Sequence, residues 1–597
     1  MGLNIEELQM KIDSLKDILS KVDTESLLGN IATEFGVTMN PTESIFEKTS
    51  LISPFKQYLY LSGLLLSTPE ESLKSNKEAP MNQLKILLND IVDLYADIFS
   101  EEDGDVVNEQ WLEARKVSMP VFINYFNTSS LTYEEQVVSR VVEWFQPFSE
   151  DIKTEIGIDV DELIRIFNFI KGNLQIRIDD FQELTNKVIE DQALFFDYMK
   201  KKKVSFEQAR EELDLPNTRK FGEQLQLIHH IRVQDMNKEF GEDVTQSFIN
   251  LFSMDRQNRD FNFYTEPNPF ETSPIWRKSK DLLFIPIYKQ IIHAILIQLT
   301  ILMEKSNKKN LFYKNRDNKT EEKTEEVFKD FFGESAKYYT SVFENDKSQN
   351  EHDLVIECDN NILIIEVKAS KVKEPFRNPD KAFKRIKRDF KSDGGIQKGY
   401  NQGMNLRNHI MSRELSVLYD SKGNEVVQFK KSKIKEIFII VITAENMGIL
   451  GCNTSYLLEK KKEDPYPWSM NIYDLETALE GIMYKNKKSN FFIEYLRERE
   501  QLHEYIVSTD ELEVLGYYLE NGSFRKLNIE EGTYIIFDPN MSSVFDDIYF
   551  EKRGFVSSRR TYPRTDKIKQ RTGKVNKNNK RRKLKQSKKS KKKNRRK

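Results

Sequence analysis

From position 353 to 369 the chain reads Asp-Leu-Val-Ile-Glu-Cys-Asp-Asn-Asn-Ile-Leu-Ile-Ile-Glu-Val-Lys-Ala. β-Branched residues crowd a helix and suit a pleated, half-buried surface. Asp359, Asn360 and Asn361 interrupt the run with residues that favour turns. The stretch therefore predicts two short strands, 353–357 and 362–369, joined as a hairpin. Side chains alternate along a strand, so Ile364, Glu366 and Lys368 share one face while Ile365, Val367 and Ala369 share the other. Asp353, at the start of the partner strand, comes beside Glu366 and Lys368 when the pairing is antiparallel.

An acid and a lysine on so apolar a strand are costly to bury unless something offsets their charge. A divalent cation would do so. The carboxylates of Asp353 and Glu366, with a neighbouring backbone carbonyl, are hard oxygen donors suited to Mg²⁺ or Mn²⁺. Lys368 would orient or help deprotonate a water nucleophile and offset negative charge on a phosphate, so phosphodiester hydrolysis is the expected reaction. Other Glu-x-Lys tripeptides, at Glu321 and Glu459, lie outside any β-branched apolar run.

The arrangement resembles the PD-(D/E)XK, restriction-endonuclease-like nuclease superfamily, which pairs an Asp on one strand with Glu-x-Lys on the next. The resemblance implies Asp353 and Glu366 as metal ligands and Lys368 as the catalytic lysine, with His352 standing where the strict motif has proline. It also implies an acid on the helix before the sheet. Glu325 is the candidate, with Glu326 in reserve, because Glu325 shares a face with Phe328 and Phe332. A glutamine on a following helix would approach the phosphate; Gln397 is the candidate, although its spacing to Tyr400 departs from a Gln-x-x-x-Tyr pattern. Between these motifs, 380–390 is amphipathic. Ala382, Ile386 and Phe390 are expected inward, and Lys384, Arg385, Lys387 and Arg388 outward as nucleic-acid contacts. An ordinary solvated face accounts for the same charges. A defence or repair role is an association carried by that superfamily.

At 597 residues the chain exceeds what one core holds, and the expected fold is multidomain, α plus α/β. Residues 1–275 read as a helical region, with Ile5, Leu8, Ile12, Leu15 and Leu19 at helical spacing and no fixed repeat period. Pro267, Pro269 and Pro274 mark 264–276 as a connector. Residues 276–447 would form the nuclease-like core around a mixed sheet with strands at 338–343, 353–357, 362–369 and 436–443. A mixed extension, 448–560, is expected to carry helices at 474–483 and 491–504, strands at 512–518 and 533–537, and a turn at Asn521-Gly522. The apolar run 284–303 is broken by Lys289, Gln290, His293 and Gln298 and reads as a buried helix rather than a membrane span.

Charge divides the chain unevenly. From Lys567 to Lys597 there are 18 Lys or Arg and no acid, so the rest carries −21 against an overall −3. Such a segment, 561–597 in outline, predicts a disordered polycation that binds phosphate by releasing counterions. Nucleic acid is the expected partner, DNA favoured over RNA and no membrane, because no amphipathic apolar face accompanies the charge. The helical region could also engage a protein partner; nothing in the sequence fixes the oligomeric state. Two distant cysteines, Cys358 and Cys452, and an acidic start with Glu6 and Glu7 rather than a signal peptide fit a reducing, cytoplasmic setting. His229-His230 lacks a His-Glu-x-x-His context, and no phosphate loop of the Gly-x-x-x-x-Gly-Lys-Ser/Thr type is present.

Overall fold

The computed structural model describes residues 4–36, 49–71, 79–101, 107–127, 133–347, 349–369, 378–527, 533–554 and 571–572. Apart from Arg571 and Thr572, the basic segment 567–597 lies outside the described residues. The chain divides into two compact units, 1–319 with 373–383, and 320–372 with 384–597. The division falls inside the helix Lys309–Phe332, not at the proline-rich stretch expected to be a connector. The reason is burial: Tyr264 stacks on Tyr60 with ring centroids 3.7 Å apart, and Phe270 and Ile275 are fully buried. Of the three prolines, Pro274 is buried, Pro269 half-buried and Pro267 exposed.

The first unit is mainly helical, as its periodicity predicts. Ile5–Ser20 buries Leu8, Ile12, Leu15 and Leu19, and its N-cap Asn4 accepts the Glu7 amide. The expectation of helices alone is corrected by a sheet of four short strands, His230–Arg232, Leu282–Phe284, Ile275–Arg277 and Ser253–Met254 in spatial order. The apolar run beyond Pro286 is the helix Lys289–Lys305, which buries Gln290 and His293 among Ile291, Ile292 and Ile295. Among the described residues no helix is long and apolar enough to cross a membrane.

The second unit is built on a mixed seven-stranded sheet. Its strands are β1 (Ala336–Phe343), β2 (Glu351–Cys358), β3 (Asn361–Lys368), β4 (Leu415–Tyr419), β5 (Glu425–Lys430), β6 (Glu436–Thr443) and β7 (Trp468–Asn471). The spatial order is β7-β6-β3-β2-β1-β4-β5, with β6 parallel to both β3 and β7 and the remaining pairs antiparallel. β2 and β3 form the expected hairpin through Asp359 and Asn360, at φ 51° and 64°, a left-handed pair that these residue types tolerate. All eight residues of β3 are buried, as a central strand with both faces covered requires.

On one face of this sheet Leu354, Ile356, Leu363, Ile365 and Val367 join the largest core cluster with Val327, Phe328 and Phe332 of helix α1 (Lys309–Phe332). The other face carries Val355, Ile362 and Ile364, packed with Leu406 and Ile410 of a helix that follows the amphipathic α2 (Pro379–Phe390). That helix is α3 (Ile396–Met411). Its Gly399 and Gly403 let the backbone lie close to the sheet: a Cβ at Gly403 would meet Ile439 Cγ2 at 2.7 Å.

Residues beyond 447, expected as an extension of the core or a small companion to it, continue its sheet, since β7 pairs with β6 through Val441↔Ser469 and Thr443↔Asn471. Helices Ile472–Tyr484 and Ser489–Gln501 follow where predicted. Residues 512–518, expected as a strand, are instead helical within Glu511–Asn521. Asp510 caps this helix by accepting the Leu512 amide, and Gly522 at φ 75° closes it. Asn521-Gly522 is thus a helix stop and not a hairpin turn.

Candidate active site

The site lies where β2 and β3 part. Their pairing runs from Cys358↔Asn361 to Leu354↔Ile365 and stops there, although β3 stays paired with β6 as far as Thr443↔Lys368. Beyond the last pair the Asp353 side chain takes over, its Oδ2 accepting the Val367 amide at 2.7 Å. Asp353 is thereby fixed beside the two charged residues of β3. Lys368 Nζ lies 3.6 Å from Asp353 Oδ2 and 3.6 Å from Glu366 Oε2. The three residues singled out from spacing do converge.

Two further groups complete the cluster. His352 places Nδ1 2.7 Å from Glu366 Oε1 and Nε2 3.2 Å from Glu344 Oε1. Nothing in the spacing of residues singles out Glu344, and simple alternation would send His352 to the face opposite Glu366. The local cause of the departure is Ser341, at φ 47° in β1. Tyr339 and Val342, an odd number of residues apart, both pack on the Val355 and Ile364 face, so alternation is broken between them. His352, paired with Val342, is brought to the Glu366 side. Its adjacency to Asp353 was a usable signal; for Glu344 there was none.

Burial is severe: Glu366 is 0% exposed and His352 1%. Burial pushes the Glu366 carboxyl pKa up, with Asp353 adding to the effect and His352 and Lys368 opposing it. For His352, burial favours the neutral ring, but hydrogen bonds and charges from Glu344 and Glu366 outweigh it and raise the pKa to about 9. Glu344 also begins with a burial penalty, which hydrogen bonds from His352 and Asn350 overcome, leaving its pKa lowered. Three acidic side chains, Asp353, Glu366 and Glu344, thus meet Lys368 and His352. Glu366 Oε2 is buried with no hydrogen-bond partner. The chemistry of this donor set, hard anionic oxygens with one unsatisfied, fits a small divalent cation. Among the described residues no group of three or more His, Cys, Asp or Glu is placed to hold a metal ion by itself, so such an ion would draw its remaining ligands from water and substrate.

The remaining sequence candidates fall elsewhere. Glu325 is corrected: the buried side of α1 packs on the sheet face opposite Glu366, and the Glu325 carboxylate is paired with Lys329 at 2.6 Å. Glu326 pairs with Lys323 at 3.3 Å. Gln397 is corrected as well. Its amide donates to Asn401 Oδ1 and to the Glu459 carbonyl, both at 2.9 Å, and accepts the Glu459 amide at 2.7 Å. Both N–H groups are engaged, one by Asn401 on the same helix and one by the Glu459 carbonyl, so none is left for a phosphate. Two residues along, Gly399 lets α3 pass over Lys368, whose Cε would be 3.2 Å from a Cβ there. Of the basic residues on α2, Lys384 and Arg388 are exposed and Arg385 and Lys387 half-buried, while Ala382 and Phe390 are buried inward as expected. Arg388 lies 3.4 Å and Arg385 3.9 Å from Asp389.

Comparison of the chain with family models, with curated proteins and with solved structures returned no match.

Proposed function

We propose that the chain is a divalent-metal-dependent nuclease that hydrolyses phosphodiester bonds, with DNA preferred to RNA, on a core of the PD-(D/E)XK, restriction-endonuclease-like kind. The observation that carries this reading is the convergence of Asp353, Glu366 and Lys368 around a buried Glu366 oxygen without a hydrogen-bond partner. A buried carboxylate oxygen left without a hydrogen-bond partner is costly, and a cation in contact with it would offset that cost. Asp353 and Glu366 would hold Mg²⁺ or Mn²⁺; Mg²⁺ commonly takes one or two protein carboxylates and fills its octahedron with water and phosphate oxygens. When bound, the ion supplies Lewis-acid polarisation of the phosphate and a lowered water pKa. Lys368, with Nζ 3.6 Å from both carboxylates, is held where it can orient a water molecule and offset charge gathering on a phosphate. The Val367 amide keeps Asp353 from turning away. Lys384, Arg385, Lys387 and Arg388 on α2 would grip the nucleic-acid backbone.

Purified protein offered single- and double-stranded DNA and RNA, with and without Mg²⁺ or Mn²⁺, should cleave only with metal. Glu366→Ala and Lys368→Ala should each lower the rate at least 100-fold while leaving the circular dichroism spectrum intact. Undiminished cleavage by both variants refutes the assignment. A second reading, a nucleic-acid-binding protein without catalysis, is favoured by the 18 basic residues of 567–597. Deleting them separates the two: a binder loses nearly all affinity and its steep salt dependence, whereas a nuclease keeps metal-dependent turnover on short substrates.

A further inference from the structure

We propose that His352, anchored by Glu344, is a positioning residue that ties one oxygen of Glu366 and so keeps the other turned toward a divalent cation; the inference rests on the nuclease reading and deepens it. A glutamate side chain rotates broadly about its last torsion, and the apolar neighbours of Glu366 on β3, Ile364 and Ile365 among them, offer nothing to stop that rotation. The His352 Nδ1 contact at 2.7 Å does stop it. The ring is itself held at the far side by Glu344 Oε1, 3.2 Å from Nε2, so both nitrogens are engaged and the imidazole cannot flip without losing a partner. With Oε1 committed, Oε2 is the oxygen left facing Lys368 at 3.6 Å with no hydrogen-bond partner.

The backbone is arranged to permit this contact. His352 is paired with Val342, just past the left-handed Ser341 at which the alternation of β1 breaks, a conformation that disfavours non-glycine residues. Partners that orient a ligating group typically change metal affinity 10- to 100-fold when removed.

The experiment is a Mn²⁺ titration of the full chain followed by the electron paramagnetic resonance signal of free Mn²⁺, a readout independent of turnover. Four variants are compared with the unaltered protein: His352→Ala, His352→Asn, Glu344→Ala and Glu366→Gln. Asn places an amide N–H near the position of Nδ1. His352→Ala should weaken binding roughly 10- to 100-fold, His352→Asn should recover most of the loss, and Glu344→Ala should lose a smaller share. In parallel, raising Mg²⁺ should restore the cleavage rate of His352→Ala toward that of the unaltered protein, which a general packing defect would not allow. Mn²⁺ binding by His352→Ala as tight as in the unaltered protein overturns the positioning role while the nuclease reading stands. If His352→Ala fails to fold, unchanged affinity in Glu344→Ala overturns it equally. Absence of any Mn²⁺ binding that Glu366→Gln removes would instead remove the nuclease reading, and this role with it.

Discussion

At the scale of single residues, the second unit concentrates charge where its surroundings are least polar. Besides the Glu366 cluster, Arg499 and Glu511 form a buried pair, 2% and 4% exposed, with Nε to Oε1 at 2.8 Å and Nη2 to Oε2 at 2.9 Å. Glu511 also accepts from Trp468 Nε1 at 2.8 Å and from the Tyr495 hydroxyl, and Arg499 donates to the Cys452 carbonyl. The pair thus binds β7 to the helices behind it. Removing one partner strands the other charge. Arg499→Ala should cost about 3–5 kcal/mol, read as a lowered urea midpoint of the full chain. Arg499→Met, which also leaves Glu511 unpaired, should rescue little. None of this was legible in the sequence, where Arg499 and Glu511 are two among many charged residues.

At the scale of elements, the close approach of α3 to the sheet decides how firmly the site is held. Gly403→Ala gains up to about 1 kcal/mol of helix propensity. A methyl group 2.7 Å from Ile439 Cγ2, however, forces displacement in a packed core, typically at about 1–3 kcal/mol. The substitution should therefore destabilise, with a lower thermal midpoint. Gly399→Ala meets Lys368 Cε at 3.2 Å and Val441 Cγ1 at 3.1 Å, contacts that ask for only a few tenths of an ångström. It should leave the midpoint nearly unchanged and lower the cleavage rate by displacing the lysine, measured as kcat at saturating Mg²⁺. The helix found in place of the expected strand carries its own local signals. Asp510 and Gly522 are ordinary helix caps around 511–521. Residues 415–430 likewise hold two strands about a turn with Gly423 at φ 80°.

At the scale of the whole molecule, buried histidines set the acid response. His293, 5% exposed, has its pKa lowered to about 3 by burial, with Arg140, Lys289 and Lys56 adding to the effect. The unfolded chain takes up this proton near 6.5 and the folded chain does not, so the stability from His293 is present above 6.5 and lost as pH falls. At pH 4.5 the loss is about 2–3 kcal/mol, at about 1.4 kcal/mol per pH unit. Glu513, raised to about 7 mainly by burial, acts in the other sense: its contribution is present at low pH and lost as pH rises from about 4.5 to 7. Thermal melts of the full chain between pH 7 and 4.5 should show a steep acid fall that His293→Gln flattens; an unaltered slope would mean the histidine is not buried neutral. His352 works on the alkaline side, its contribution complete below 6.5 and lost as pH rises through about 9.

Local objects are written in the residue order alone: the 358–361 hairpin, the buried central strand, the face shared by Glu366 and Lys368, the amphipathic α2 and the charge division toward residue 597. These depend on period and on turn chemistry, which neighbouring residues carry among themselves. The tertiary structure alone decided which acids meet. Glu344 reaches the site through a strand irregularity at Ser341, Glu325 is turned to another sheet face, and Gln397 is drawn off to Glu459 sixty-two positions away. Each outcome depends on strand pairing, helix docking and competition for hydrogen-bond partners between distant segments, and no single window of residues contains that information.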